Sequence, residues 1–152
     1  MKVVVVYDSQ TGNTEKMAKA VAEGVGSVVE VDIKKVGEPF PLTLLAEADG
    51  VIYGSPCIYA NVTPGVRALV ENMGAYVKTG KIDVKGHPAA VFGSYGWDGA
   101  WVMEAVFKLS IKDLGFKVQD EVCVEVASNV KYNESESLKK CRDFGKKFAE
   151  SL

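Results

Sequence analysis

The sequence lacks the features that mark membrane-spanning, nucleic-acid-binding and secreted proteins. No apolar run approaches the ~20 residues that a helix needs to cross a bilayer. The 18 basic and 20 acidic side chains give a formal net charge of −2, which argues against a nucleic-acid-binding surface. The apolar stretch at 3–6 is too short for the core of a signal peptide. We therefore expect a cytoplasmic protein with neither a membrane nor a nucleic acid as partner.

Cysteine and histidine are also scarce. The three cysteines, Cys57, Cys123 and Cys141, are far apart and odd in number, so they do not indicate a disulfide framework. His87 is the only histidine, and it has no partner at the spacing of a zinc site. We expect no metal site, and we expect Cys123 and Cys141 to behave as small buried apolar groups.

Short β-rich runs instead alternate with longer segments of helical period. The chain has 152 residues, of which 47% are apolar, and this is the size of one domain, placed at 1–152. The β-rich runs lie at 2–8, 28–33, 49–55, 88–94 and 121–127. The helical segments lie at 13–25, 42–47, 64–77 and 99–114, with a last helix from Asn133 onward. The first, third and fourth runs are apolar almost throughout, as in parallel strands covered on both faces.

Sequence signals at the helix ends and along the helix faces predict how these helices begin and pack. Thr63 before Pro64 is a typical N-cap, Asp98 precedes the fourth helix, and Asn133 with Glu136 forms a capping-box pattern. The positions expected to face the core are Met17, Ala20, Val21 and Val25; Val66, Leu69, Val70 and Met73; Val102, Ala105, Val106 and Leu109; and Leu138, Cys141, Phe144 and Phe148.

Five β/α repeats without a linker predict a doubly wound α/β fold. We expect a five-stranded parallel sheet of order 2-1-3-4-5 with helices on both faces. In such sheets a ligand binds at the carboxyl ends of the strands where the strand order reverses. The segments that follow strands 1, 3 and 4 are 8–14, 54–63 and 93–99. Any functional site is expected there.

The first of these segments contains "SQTGNT" at 9–14, a run of small and polar residues. Ser9, Thr11 and Thr14 offer hydroxyl groups, Asn13 offers an amide, and Gly12 permits close backbone approach. The run leads directly into a helix N-terminus, which favours a phosphate group. It lacks the lysine of a nucleotide-binding P-loop, so neutral donors alone would hold the phosphate. On this stretch alone, an ordinary strand-to-helix turn is an equal alternative.

Aromatic residues follow the third and fourth strands. Tyr95 and Trp97 alternate with glycines in "GSYGWDG" at 93–99, and Tyr59 follows Ile58 in the segment after strand 3. These rings could cover the core beneath their own loops. Three of them at one end of the sheet favour stacking on a flat heterocycle instead.

These segments carry a family resemblance. The "SQTGNT" run matches the phosphate-loop pattern Ser/Thr-x-Thr-Gly-x-Thr of flavodoxins, and the chain resembles that family, in its short-chain type, from residue 1 to residue 152. "GSP" at 54–56 and "FGSYGW" at 92–97 are most similar to the flavodoxin domain of flavodiiron proteins. Two features depart from the family: Cys57 stands where a hydroxyl residue is common, and the net charge is close to neutral rather than strongly acidic.

The resemblance implies a monomeric carrier of flavin mononucleotide (FMN), not an enzyme. It would pass low-potential electrons between redox partner proteins through the quinone, semiquinone and hydroquinone states of the flavin. Trp97 is the first choice for a stacking ring, with Tyr59 or Tyr95 opposite. The implied FMN contacts are Ser9, Gln10, Thr11, Gly12, Asn13 and Thr14 for the phosphate; Ser55, Pro56, Cys57, Ile58, Tyr59 and Asn61 on one side of the ring system; and Gly93, Ser94, Tyr95, Gly96, Trp97 and Asp98 on the other.

The charge pattern of these loops bears on the redox chemistry. They contain no lysine or arginine that could stabilise a reduced, anionic flavin, and Asp98 is close in sequence. We therefore predict a low potential for the second electron.

Cys57 is either a passive residue lining the flavin site, which we favour, or a redox-active thiol; no second cysteine accompanies it in the motif. The alternative function is an NAD(P)H-dependent FMN or quinone reductase, although no basic cluster for a pyridine-nucleotide phosphate is evident.

Overall fold

The structure, a computed structural model, describes residues 1–96 and 102–152. The predicted contacts of Trp97 and Asp98 therefore lie outside the described residues. The strands are β1 (Lys2–Tyr7), β2 (Glu30–Lys35), β3 (Gly50–Pro56), β4 (Pro88–Tyr95), β5 (Lys117–Val118) and β6 (Cys123–Val126). The helices are α1 (Asn13–Gly26), α2 (Thr43–Glu47), α3 (Pro64–Lys78), α4 (Val102–Leu114), α5 (Ala127–Tyr132) and α6 (Glu134–Glu150).

The strands form one parallel sheet in the order β2-β1-β3-β4, and β5 and β6 both pair with β4 at its outer edge. This confirms the predicted order 2-1-3-4-5. Alternate residues of β1 face opposite sides: Val4 and Val6 pack with α2, α3 and α4, whereas Val3 and Val5 pack with α1, α5 and α6. Among the described residues, no helix has the length and apolarity to cross a membrane.

The fifth strand differs from its predicted span of 121–127. Its place is taken by β5, which pairs with the start of β4, and by β6, which pairs with Phe92–Tyr95. Residues 119–122 lie between them, opposite only Ala90 and Val91 of β4, so the edge bulges there. The predicted strand also runs on too far, because Ala127 already begins α5, a helix that the sequence analysis missed.

The predicted inner face of α4 is wrong. Val102, Val106 and Leu109 are 54%, 45% and 59% exposed, and Ala105 is exposed as well. The buried apolar face is Met103, Phe107, Ile111 and Leu114. The helix carries two apolar stripes, and the stripe with the larger side chains faces the sheet because it removes more apolar area from water.

The predicted caps have mixed outcomes. The Thr63 hydroxyl accepts the Val66 N–H at 3.2 Å, which confirms the N-cap of α3. The capping box at Asn133 is wrong, since its side chain makes no cap hydrogen bond and its N–H donates to the Asn129 carbonyl at the end of α5. Of the other predicted core positions, Val70 and Leu138 are only half-buried.

Candidate functional site

Strands β1, β3 and β4 end at the same edge of the sheet. The residues that follow them or close them, 8–14, 55–63 and 93–96, are called the loop edge below. Backbone hydrogen bonds tie its parts together: the Asp8 N–H donates to the Gly54 carbonyl at 3.1 Å, and the Cys57 N–H donates to the Ser94 carbonyl at 2.7 Å. The structure thus brings together the described parts of the three segments that the sequence singled out.

The first part of the loop edge is arranged around the Ser9 hydroxyl. Its oxygen accepts the N–H groups of Gly12 and Glu15, each at 3.2 Å, and its own proton can be donated to another acceptor. Gly12 has φ +97°, a left-handed conformation that favours glycine. It is the N-cap of α1, so the N–H groups of Asn13 and Thr14 lie in a helical turn that has no intrahelical acceptors for them. This arrangement suits an anion held by neutral donors.

Thr14 takes a different place from the other members of this run. Its side chain is buried, and its hydroxyl shares a hydrogen bond of 2.7 Å with the Ser94 hydroxyl. The contact joins the start of α1 to the carboxyl end of β4. Thr14 and Ser94 therefore brace two parts of the loop edge from within.

The second part contains a tight turn from Ile58 to Asn61. The two residues exchange backbone hydrogen bonds of 2.7 and 3.0 Å. Between them, Tyr59 and Ala60 have φ values of +49° and +62°, as in a type I′ turn. Left-handed conformations cost non-glycine residues about 1–2 kcal/mol each. Tyr59 is 100% exposed, so this turn presents an aromatic ring that the described protein does not cover.

Buried polar groups hold this second part against the first. The Thr63 hydroxyl donates to Asp8 Oδ2 at 2.6 Å, and the Thr63 N–H donates to Ser55 Oγ at 3.1 Å. Ser55 and Thr63 are both fully buried. The sequence analysis had identified Thr63 only as a cap and had given Asp8 no role; the position of Asp8 directly after the first strand was the signal that could have identified it.

Gly93 and Gly54 are positions of close packing rather than open surface. A Cβ at Gly93 would overlap the Met103 side chain and approach the Ser55 carbonyl to 3.0 Å. A Cβ at Gly54 would overlap the Phe92 ring. Both glycines therefore let the strand ends and α4 approach closely.

A hydrogen bond and an ion pair to the Glu15 carboxylate lie at the border of the loop edge. The Tyr7 hydroxyl donates to Glu15 Oε1 at 2.8 Å, and Lys35 Nζ lies 3.8 Å from the same oxygen. Burial, followed by the hydrogen bond to Glu15, raises the pKa of Tyr7, and the same hydrogen bond lowers the pKa of Glu15. The carboxylate on the first turn of α1 thus has partners of its own. The described segments of the loop edge contain no lysine or arginine.

The predicted site residues divide by exposure. The exposed and half-buried ones are Ser9, Gln10, Thr11, Gly12, Asn13, Pro56, Cys57, Ile58, Tyr59, Asn61, Tyr95 and Gly96. The buried ones are Thr14, Ser55, Gly93 and Ser94. The first group can contact a ligand directly, whereas the second group shapes and braces the loop edge; Thr14 can in addition offer its backbone N–H to an anion.

Known proteins share this fold and part of this sequence. The family model described as flavodoxin matches residues 5–145. A flavodoxin from the domain Archaea has a solved structure with a TM-score of 0.83 and 27% identity, covering 99% of this chain and 98% of that one. Flavodoxin 1 from Bacillus cereus has a TM-score of 0.82 and 25% identity, covering 100% and 99%.

Some relatives are much longer than this chain. An uncharacterized protein of Methanocaldococcus jannaschii is 38% identical over 98% of this chain and 36% of its own length. The type A flavoprotein of Rhodobacter capsulatus is 32% identical over 99% of this chain and 33% of its own length. The chain thus spans about a third of these two relatives. Together with the match over 5–145, these similarities show that the chain belongs to the flavodoxin family.

Proposed function

We propose that this chain binds FMN at the loop edge and carries electrons between redox partner proteins. The observation that carries the proposal is that two features occur at the same edge of the sheet. One is an anion site made of neutral donors at the start of α1, and the other is the exposed ring of Tyr59 on the turn at 58–61. Membership of the flavodoxin family supports the same ligand.

The anion site fits the phosphate group of FMN. The Ser9 hydroxyl, the N–H groups at the start of α1 and the exposed side chains of Gln10 and Thr11 supply neutral donors. A Cβ placed at Gly12 would meet no atom within 4 Å, so the space above the turn is open. The helix dipole adds a favourable field for a negative group.

The turn at 58–61 fits one side of a flat ring system. Tyr59 is fully exposed, and the adjacent Cys57 and Ile58 are half-buried. Tyr95, at the end of β4, is also half-buried and supplies an aromatic ring from the other side of the loop edge. Stacking on such rings buries a large apolar area. Trp97 and Asp98 remain predicted contacts that lie outside the described residues.

The bound flavin would supply the electron chemistry, and this chain's residues would bind and orient it. Electron carriage is favoured over a reductase reaction because the described loops hold no lysine or arginine for a pyridine-nucleotide phosphate. The redox partners, a monomeric state and a cytoplasmic location belong to the same proposal.

The first experiment compares the binding of FMN with that of riboflavin, which lacks the phosphate, by quenching of flavin fluorescence. We expect FMN to bind much more tightly. Ser9→Ala should weaken FMN binding about tenfold, the effect of a lost hydrogen bond to a charged group, and should leave riboflavin binding unchanged. Ser27→Ala, just past the other end of α1, is the matched control, since its hydroxyl donates to the Gly24 carbonyl far from the loop edge. Equal affinity for the two flavins would contradict the phosphate site.

Anaerobic titration of the yellow protein with dithionite then tests electron carriage. Reduction in two resolved one-electron steps supports a carrier. Rapid bleaching by NADPH alone, in a single two-electron step, would favour the reductase. A colourless protein that also fails to bind added FMN would overturn the whole proposal.

A further inference from the structure

Two thiols lie in contact on the side of the sheet that packs against α1 and α6. Cys123 belongs to β6 and Cys141 to α6, and their sulfur atoms are 3.7 Å apart. Cys123 is 5% exposed and Cys141 is 0% exposed, and neither is in a disulfide. A disulfide bond is about 2.05 Å long, so a small movement of the two side chains would bring the sulfurs to bonding distance.

A cavity borders Cys123. It has a volume of about 310 Å³ and is lined by Cys123 and by charged groups of α6, among them Lys140, Asp143 and Lys147. Its volume is many times the ~30 Å³ share of one water molecule. Lys140 Nζ lies 2.6 Å from Glu125 Oε1, and Glu125 is buried. A cationic group is therefore fixed beside the opening.

The two thiols differ in their place relative to the cavity. The hydrogen bond with Cys123, followed by burial, raises the pKa of Cys141. Lys140 has its pKa raised, mainly by its hydrogen bond to Glu125 and further by its attraction to the two sulfurs, whereas burial lowers it. Cys123 lines the cavity, whereas Cys141 is 0% exposed. This favours Cys123 as the attacking sulfur, since the attacking sulfur must reach the small disulfide.

We propose that Cys123 and Cys141 form a reversible disulfide by exchange with a low-molecular-weight disulfide. The Cys123 thiolate attacks one sulfur of that disulfide, forms a mixed disulfide and releases one small thiol. The Cys141 sulfur then loses its proton and attacks the Cys123 sulfur, which releases the second small thiol. The protein loses two electrons and two protons, and the small disulfide gains them as two thiols.

The bond would link the outer edge of the sheet to α6 across 18 positions of sequence. The segment between the two cysteines contains α5 and the start of α6. Closing such a loop restricts the unfolded chain and stabilises the fold. The proposal requires no flavin, so it stands or falls separately from the function proposed above.

The test uses the full chain carrying Cys57→Ser, which leaves only the two thiols in question. The native protein is equilibrated with oxidised glutathione, quenched in acid, alkylated after unfolding and analysed by mass spectrometry. We expect the protein to lose the mass of two hydrogen atoms and to take up no alkylating reagent. Peptide mapping should show a Cys123–Cys141 bond, and dithiothreitol should restore both thiols.

Two double variants establish the roles of the sulfurs. With Cys141→Ser added, Cys123 should gain one glutathionyl group and retain it, because no second thiol can displace it. With Cys123→Ser added, Cys141 should stay unmodified in the native protein. Retention of both thiols in the native Cys57→Ser protein, under conditions in which the urea-unfolded chain is oxidised, would overturn the proposal. Separate glutathionylation of both cysteines without a bond between them would also overturn it.

Discussion

The hydroxyl groups of Thr14 and Ser94 share a buried hydrogen bond of 2.7 Å although 80 positions separate them in sequence. The bond fixes the first turn of α1 against the end of β4. The anion site at the start of α1 and the ring-binding part of the loop edge are therefore held in a set relation to each other. Such preorganisation lowers the cost of ordering the site when a ligand binds.

Thr14→Val tests this brace, because valine has nearly the same shape but lacks the hydroxyl. We expect a loss of about 1–3 kcal/mol in the free energy of unfolding, since Ser94 loses a buried partner, together with weaker FMN binding. Thr14→Ser, which keeps the hydroxyl, should stay closer to the original on both counts. Urea unfolding and flavin titration measure the two effects. A valine variant as stable as the original protein would show that the bond contributes nothing.

The orientation of α4 gives a second prediction. Phe107 is 1% exposed and packs edge-on against Tyr53 with 6.3 Å between ring centroids, whereas its neighbour Val106 is 45% exposed. Phe107→Ala should cost about 3–5 kcal/mol of unfolding free energy. Val106→Lys should change it by no more than about 0.5 kcal/mol. If Val106→Lys is as damaging in urea unfolding as Phe107→Ala, then the face of α4 is assigned wrongly.

The sequence predicted helix α4 but not which of its sides faces the sheet. The strand order followed from the five β/α repeats, because right-handed crossovers leave few topologies for them. On α4, Val102, Val106 and Leu109 follow the same helical period as Met103, Phe107 and Ile111, offset by one or two positions. Periodicity alone cannot choose between two apolar stripes; packing volume against the sheet makes the choice.

The loop edge was predictable in position but not in internal structure. The motif of residues 9–14 predicts an anion site, and the strand order places the turn with Tyr59 at the same edge of the sheet. The brace from Thr63 to Asp8 and the burial of Ser55 depend on hydrogen bonds between distant segments. The position of Asp8 after the first strand marks it as a residue of this edge, but local sequence patterns do not show which distant residue it bonds to. For the same reason the sequence did not show that the Thr14 hydroxyl bonds to Ser94.

Glycine at the contact between α1 and α6 gives a third prediction. A Cβ at Gly145 would overlap the Val21 carbonyl oxygen, and backbone on both helices leaves little room to adjust. Gly145→Ala should therefore destabilise the fold by about 1–3 kcal/mol or more. Gly74→Ala is the control in α3, where the new Cβ would meet Leu114 Cδ2 at an ordinary 3.7 Å. Because alanine favours a helix, the free energy of unfolding of Gly74→Ala should rise by about 0.5–1 kcal/mol. Thermal unfolding should therefore show a lower midpoint for Gly145→Ala and a higher midpoint for Gly74→Ala.

The turn at Tyr59 and Ala60 gives a fourth prediction. Ala60 has φ +62°, a conformation that glycine adopts without steric cost. Ala60→Gly should raise the free energy of unfolding by roughly 0.5 kcal/mol, the relief of strain less the added chain entropy. The matched change Ala75→Gly, at an exposed position in α3, should lower it by about 1 kcal/mol. A loss of stability in both variants on urea unfolding would contradict the left-handed turn.

The absence of cations from the described loop edge gives the last prediction. Reduction of FMN by two electrons adds negative charge, and an environment without lysine or arginine gives that charge no compensation. We expect the second one-electron step to occur at a lower potential than in free FMN. Asn61, exposed at the end of the turn, allows a controlled test of the cause. Asn61→Lys and Asn61→Gln both remove the side-chain bond to the Val62 N–H, and only the lysine adds a charge.

The lysine variant should therefore have a higher second-step potential than the glutamine variant. A solvent-exposed charge is worth about 0.5–1 kcal/mol, which corresponds to roughly 20–40 mV for one electron. Added salt should shrink the difference, because screening weakens interactions between exposed charges. Anaerobic spectroelectrochemistry at low and high ionic strength measures both quantities. Identical potentials in the two variants would mean that the charge at this turn does not reach the flavin, and the stacking surface would then have to be sought elsewhere on the loop edge.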